Sequence, residues 1–288
     1  MITEKIILGT VQFGLDYGVN NPNGKPKEQE VFNILELAWK SNIRELDTAD
    51  IYGNASELIG AFHRATGFSF RVNTKFSNDP ALTVSAQLQR SLNRLQLDSV
   101  YTYFFHYFHD FKNAGKELDE LQELKQRSSI RNIGVSVYTN EQLADCIRDE
   151  RVDVIQLPFN LFDNTGVRGK LIDAAKKAGK EIQVRSVFLQ GLFFMEPGKL
   201  PAKLTPLAPY LEQANTIAGN AGMSMEELAI SYVLAQENID KVIFGIDSYS
   251  QLERNIGIMQ NKLSKEYRDS IDAIAVEELT LLNPQNWK

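Results

Sequence analysis

Four ionisable side chains stand at or just beyond the ends of apolar runs. Asp47 and Tyr52 lie in Asp47-Thr48-Ala49-Asp50-Ile51-Tyr52-Gly53, Lys75 closes Val72-Asn73-Thr74-Lys75, and His106 closes Tyr103-Phe104-Phe105-His106. A phenol titrates near about 10 in water, too high to exchange a proton efficiently at neutral pH. An ammonium beside it favours the phenolate and lowers that value, by roughly a unit or more where solvent is excluded. A carboxylate paired with the ammonium fixes its position and keeps it charged. An imidazole nearby can orient a carbonyl oxygen or share the proton. Together the four suit protonation of a carbonyl oxygen while a hydride arrives at carbon, provided the fold brings them together.

The elements that would do so are short β-rich runs alternating with longer helical patterns. Strands are expected over Lys5–Gly9, Arg44–Thr48, Phe70–Lys75, Val100–His106, Ile130–Ser136, Val152–Gln156, Glu181–Arg185 and Lys241–Phe244. Most are continuously apolar, the signature of parallel strands covered on both faces. Between them, Val31, Ile34, Leu35 and Ala38 recur at helical spacing. Pro80 stands where a helix can begin before Leu82–Leu95, Thr139 is suited to cap a helix over Glu141–Ile147, Met223 to Ala235 carries a further helical face, and Ser248 or Ser250 opens the last barrel helix. Eight strand–helix units in this length predict an α/β fold of the (β/α)₈ barrel type, which keeps its chemistry at strand C-termini, with adjacent strand ends about 5–10 Å apart. No Gly-x-Gly-x-x-Gly supports a Rossmann fold. A long Gly/Pro-rich loop at about 186–209 has the length of a functional loop. A C-terminal tail runs over 263–288.

The bulk properties narrow the function classes. The chain has 288 residues, 43% hydrophobic and 24% charged, with a formal net charge of −6 and no basic block. Binding to nucleic acid or an anionic membrane is not expected. No apolar run reaches the roughly 18 residues needed to span a bilayer, and the N-terminus does not read as a signal peptide. Cys146 is the only cysteine, so no internal disulfide forms; a cytoplasmic location and a structural role for this thiol are expected. No linker or repeat divides the chain, so residues 1–288 are expected to form one domain, and a monomer is the default. His63 is expected on a helix surface. His109 and Asp110 lack a third ligand for a metal, and no metal site is expected. Tyr17, Phe108, Phe193 and Trp287 are candidates to line a substrate site.

With these residues in order, nearly the whole chain resembles the aldo-keto reductase superfamily. The resemblance rests on Gly9-Thr10, Asp47–Gly53, Thr74-Lys75, His106, Gly134-Val135-Ser136, Gln156-Leu157-Pro158-Phe159-Asn160 and Phe244-Gly245-Ile246 leading to Gln251-Leu252-x-x-Asn255. It implies a (β/α)₈ barrel binding NADPH in extended form across its C-terminal face. It implies a catalytic tetrad of Asp47, Tyr52, Lys75 and His106, with Tyr52 as general acid, Lys75 and Asp47 tuning it, and His106 positioning the substrate oxygen. Cofactor contacts carry over to Gly9 and Thr10, to Ser136 and Gln156 at the carboxamide, to Ser186, Leu189 and Gln190 over the pyrophosphate, and to Gly245, Asp247, Gln251 and Asn255 at the adenosine end.

The chain departs from the family pattern in four places. Val137 replaces an asparagine, removing about 1 kcal/mol of hydrogen bonding. Arg185 stands where a ring usually stacks on the nicotinamide; its plane can stack too, or add a cation beside an acidic substrate. Asp247 would repel a 2′-phosphate and accept from a bare ribose hydroxyl, so NADP(H) is favoured only narrowly over NAD(H). The N-terminal hairpin that usually plugs the barrel floor is short or absent. Leu8–Gly14 and Arg185–Gly191 resemble a bacterial subgroup associated with sugar or polysaccharide metabolism. The expected activity is therefore an NAD(P)H-dependent reduction of a small-molecule carbonyl, plausibly a sugar derivative. Two alternatives remain at this point: a cofactor-binding sensor barrel without turnover, and a lyase or epimerase using the Tyr–Lys pair without net redox.

Overall fold

The computed structural model describes residues 2–19, 21, 24–77, 79, 81–287. Eight strands close into one parallel barrel: β1 (Ile6–Gly9), β2 (Glu45–Asp47), β3 (Arg71–Phe76), β4 (Val100–Phe105), β5 (Ile130–Ser136), β6 (Val154–Pro158), β7 (Glu181–Arg185) and β8 (Lys241–Gly245). Each pairs with its sequence neighbour and β8 returns to β1, in register at Leu8↔Phe244 and Gly9↔Gly245. The (β/α)₈ expectation therefore holds, and all eight strands fall within two residues of where their apolar runs place them.

The helices form where period and caps direct. Glu28–Lys40 buries Val31, Ile34, Leu35 and Ala38 against the barrel. Thr139 caps Asn140–Arg148 through a reciprocal capping box with Gln142, and Ser248 caps Tyr249–Ile258 by accepting from the Gln251 amide. The helix expected from Leu82 begins at Val84, where Thr83 accepts from the Ala86 amide; Pro80, expected at its start, lies outside the described residues. Met225–Leu234 is a helix with Ser224 as its cap.

Ile2–Lys5 form a 3-10 turn leading directly into β1. The floor is crossed by ion pairs: Glu45 accepts from Arg71 and from Lys241, each at 2.6 Å. The stretch after β7, which composition suggests is irregular, folds as three 3-10 segments, Leu189–Phe194, Pro197–Lys199 and Ala202–Leu207. Leu189, Leu192, Phe193, Leu204 and Leu207 anchor it in the core.

His63 departs from expectation. It is buried, its Nδ1 lies 2.9 Å from the Leu95 carbonyl, and its Nε2 accepts from the Phe70 amide at 3.3 Å. It adjoins Phe62 on the inward face of Ala55–Thr66, so it ties two helices to the start of β3, and burial lowers its pKa. Cys146 is buried and free; burial pushes its thiol up to about 12, which suits a packing role. No helix among the described residues is long and apolar enough to cross a membrane.

Candidate active site at the mouth of the barrel

Strand ends deliver the four side chains to one place. Asp47 is the last residue of β2, Lys75 the penultimate residue of β3, and His106 follows β4 directly, while Tyr52 sits in the loop after β2. All four line one cleft of about 1110 Å³, mouth included. The loop carrying Tyr52 is held from several sides. The Asp50 amide donates to the Lys75 carbonyl at 3.1 Å, and the Asp50 carboxylate accepts from Ser91 Oγ at 2.7 Å and pairs with Arg90 at 3.2 Å. Beneath it, Gly14 and Gly53 meet backbone to backbone. A methyl group on Gly14 would overlap the Tyr52 carbonyl, and one on Gly53 (φ +54°) would overlap the Gly14 carbonyl.

Lys75 Nζ pairs with Asp47 Oδ1 and donates to the Thr48 carbonyl at 3.2 Å. The other Asp47 oxygen accepts from Gln156 Nε2 at 2.8 Å. The Lys75 ammonium lies 5.5 Å from the centre of the Tyr52 ring, and the His106 ring meets Tyr52 edge-on at 6.0 Å between centroids. Thr10 clamps the β1 and β2 ends together, donating to the Asp47 carbonyl through its amide (3.0 Å) and its hydroxyl (2.9 Å).

Electrostatics correct one expectation. Lys75 does not make the phenol acidic: burial pushes Tyr52 well above its ordinary pKa, the Asp47 carboxylate adds to the rise, and the Arg185 guanidinium opposes it. The Asp47 carboxylate, in direct contact with the ammonium, works against it at the phenol. Tyr52 therefore carries its proton at neutral pH. Lys75 is lowered by burial, with Asp47 opposing. His106 is held down to about 3, by burial first and then by the charges of Lys75 and Arg185, so it is a neutral imidazole. Its Nδ1 is buried without a partner.

The residues assigned to a cofactor are mostly here. Gly9, Thr10, Ser136, Gln156, Arg185, Ser186, Gln190, Gly245, Asp247 and Gln251 all line the cleft. Leu189 and Asn255 do not. Leu189 points into the core, and Asn255 is fully buried, its amide oriented to donate to Glu226 at 2.7 Å between two helices. Gln156 Oε1 and Asp247 Oδ1 are buried without hydrogen-bond partners. The backbone bends sharply where β7 ends, with positive φ at Ser186 (63°), Leu189 (45°) and Gln190 (55°). That bend brings Gln190 across to the loop after β1: its carbonyl accepts from the Val19 amide at 3.1 Å and its side chain donates to the Tyr17 hydroxyl at 2.8 Å. The two loops thus meet over the cleft.

Several lining residues escape sequence reasoning. Gln12 packs against Gly245, where any Cβ would collide with its amide. Tyr138 and Phe194 line the walls, while of the four aromatic candidates only Tyr17 does so; Phe193 packs edge-on against Phe162 in the core, and Trp287 donates to the Leu281 carbonyl. Gln12 and Gly14 stand in the Leu8–Gly14 stretch already singled out, which was the available signal. Among the described residues, no three His, Cys, Asp or Glu side chains gather as a metal site, and His109 pairs with Asp110 at 3.0 Å.

Known proteins agree with this architecture. The family model for the Aldo/keto reductase family matches residues 5–276. Among curated relatives, an uncharacterized oxidoreductase, YqkF, of Bacillus subtilis is 24% identical over 253 residues, covering 80% of this chain and 82% of its own. The L-galactose dehydrogenase of Arabidopsis thaliana is 27% identical over 256 residues, covering 81% and 79%. Among solved structures, the aldo-keto reductase AKR11C1 of Bacillus halodurans superposes with a TM-score of 0.75 at 19% identity, covering 94% of this chain and 92% of its own. The chain belongs to the aldo/keto reductase family. It is an oxidoreductase of the class that works on small carbonyl compounds with a nicotinamide cofactor.

Proposed function

We propose that this chain interconverts a small carbonyl compound and its alcohol, with Tyr52 as the proton donor in reduction. The observation that carries the reading is a half-buried, proton-bearing phenol beside a desolvated Lys75–Asp47 pair and a neutral His106 at the barrel mouth. Neutral His106 orients the carbonyl oxygen by hydrogen bonding. Lys75, held by Asp47, offers its charge as negative charge grows on the phenol oxygen during proton transfer, when it matters most.

The cleft suits a nicotinamide dinucleotide, which when bound supplies the hydride. Gln156 Oε1 is a buried acceptor awaiting a donor such as a carboxamide, with Ser136 beside it in the paired register of β5 and β6. Asp247 has no Lys or Arg in ion-pair contact among the described residues. Its charge supports an unphosphorylated ribose and so weighs toward NADH, against the narrow preference for NADPH that the resemblance carries. Asp247→Lys should shift the ratio of NADH to NADPH dissociation constants at least about tenfold toward NADPH, measured by fluorescence titration; no shift would remove Asp247 from the adenosine end.

A sugar or sugar derivative fits the polar lining of Gln12, Tyr17, Asn21 and Gln190. The relative named L-galactose dehydrogenase supports that choice, and the lone buried Cys146 supports a cytoplasmic setting. Residues 1–288 are taken to act as one unit. The decisive test is Tyr52→Phe, which should cut turnover by about 10²–10⁴-fold while cofactor binding stays within about twofold. A variant that keeps most of its activity removes the proposed acid.

A further inference from the structure

Arg185 is a cation lining the cleft with no carboxylate in ion-pair contact among the described residues. Its guanidinium has only neutral partners: Nη2 donates to the Val137 carbonyl at 3.2 Å, Nη1 to Ser186 Oγ at 3.4 Å, and the plane lies 4.2 Å from the centre of the Tyr138 ring. Apart from Asp247 at the far end of the cleft, the charged side chains near it are matched: Lys75 is held by Asp47, Arg168 by Asp163 and Arg90 by Asp50. A guanidinium has five donors in a rigid fork, and two long bonds leave most of them free. Tyr138 fixes the plane from one face and the Val137 carbonyl fixes one arm, so the fork is held ready rather than loose. Its charge reaches Tyr52, His106 and Tyr17, which places it at the reacting end of the cleft rather than beside Asp247. With His106 neutral and Asp47 matched to Lys75, that end holds one positive charge in excess.

We propose that Arg185 is an anion-recognition residue, and that the preferred substrate carries a carboxylate or phosphate on the same small molecule as its carbonyl. This rests on the reading of the cleft as a carbonyl-reducing site. The anion pairs with the free arms of Arg185 and turns the carbonyl toward Tyr52 and His106.

Binding and turnover test it separately. Succinate and inorganic phosphate carry the anion but no reducible carbonyl, and calorimetric titration of each needs no catalysis. At least one should bind the native chain and lose about tenfold or more in affinity in Arg185→Met, with Arg185→Lys intermediate; which of the two binds tells carboxylate from phosphate. Melting temperatures of both variants within a few degrees of native show that the fold is retained, and Arg185→Lys alone decides if Arg185→Met unfolds. In turnover, succinic semialdehyde should exceed butanal, or glyceraldehyde 3-phosphate exceed glyceraldehyde, by about tenfold or more in kcat/KM, and that ratio should approach one in Arg185→Met. Failure of both anions to bind, or equal binding by native and variants, overturns the proposal. Reduction of neutral and anionic aldehydes at equal kcat/KM overturns it too, while leaving Tyr52 as the acid. Arg185-dependent anion binding with no carbonyl consumed leaves the anion site standing and removes the carbonyl-reduction reading.

Discussion

The two ends of the barrel carry the same chemistry on the same strands. Glu45 and Asp47 are two apart on β2, and Arg71 and Lys75 are four apart on β3, so all four project inward, one acid–base pair at each end. At the floor Glu45 holds Arg71 and Lys241; at the mouth Asp47 holds Lys75. The difference is water. The floor cations are 54% and 17% exposed, whereas the Lys75 side chain is 2% exposed and Asp47 6%. Glu45 is as buried as Asp47, but a cation that reaches water can be solvated there if its partner is lost. Loss of a partner in a fully desolvated pair instead leaves a buried charge uncompensated. The floor pairs lie across the barrel bottom; the mouth pair stands against a phenol and an imidazole. Burial and neighbours, more than residue type, set the two pairs apart.

That contrast can be broken, most forcefully at Lys75. Lys75→Met should lower kcat by about 10²–10⁴-fold and cost about 3–5 kcal/mol of stability by urea unfolding, because Asp47 would remain buried with only Gln156 beside it. If kcat stays within tenfold, the mouth pair is structural like the floor.

His106 sharpens it through pH. Its folded pKa is depressed to about 3 from 6.5, so the unfolded chain takes up the proton first. The stability of the neutral form is present above the unfolded value and is lost as pH falls toward the folded one, by up to about 1.4 kcal/mol per pH unit. Buried His63 contributes in the same direction. Unfolding curves from pH 7 to pH 4 should therefore slope less steeply in His106→Gln than in the native chain, and equal slopes would show an imidazole that solvent reaches.

At the floor, Glu45→Gln should cost about 1–2 kcal/mol, since both cations can turn to water, and leave kcat within about twofold. A large drop in kcat would show that the two ends communicate. Arg71→Ala is the smallest expected effect, below about 1 kcal/mol, as for other half-solvated pairs.

Much of this was legible beforehand, for reasons that differ by element. Strands buried on both faces are largely apolar, so a run such as Ile6–Gly9 marks itself. Asp47, Tyr52, Lys75 and His106 were legible because a parallel barrel gathers strand ends, so order along the chain becomes adjacency in space. What composition hides is direction. Leu189 and Asn255 occupy the expected positions, but their side chains turn into the core and toward Glu226, a matter of local backbone and helix rotation. His63 looked solvated because its type is polar, yet it shares a face with Phe62. The phenol was expected to be acidic because an ammonium was near; the opposing carboxylate and the absence of solvent depend on packing that no spacing encodes.

The glycine-on-glycine contact under the Tyr52 loop has a practical consequence for anyone wishing to retarget this enzyme. Neither Gly14 nor Gly53 has room for any larger residue, so randomised libraries that touch either will be dominated by variants with a displaced phenol. Diversity is better directed to Tyr17, Tyr138 and Phe194, whose side chains form wall rather than foundation.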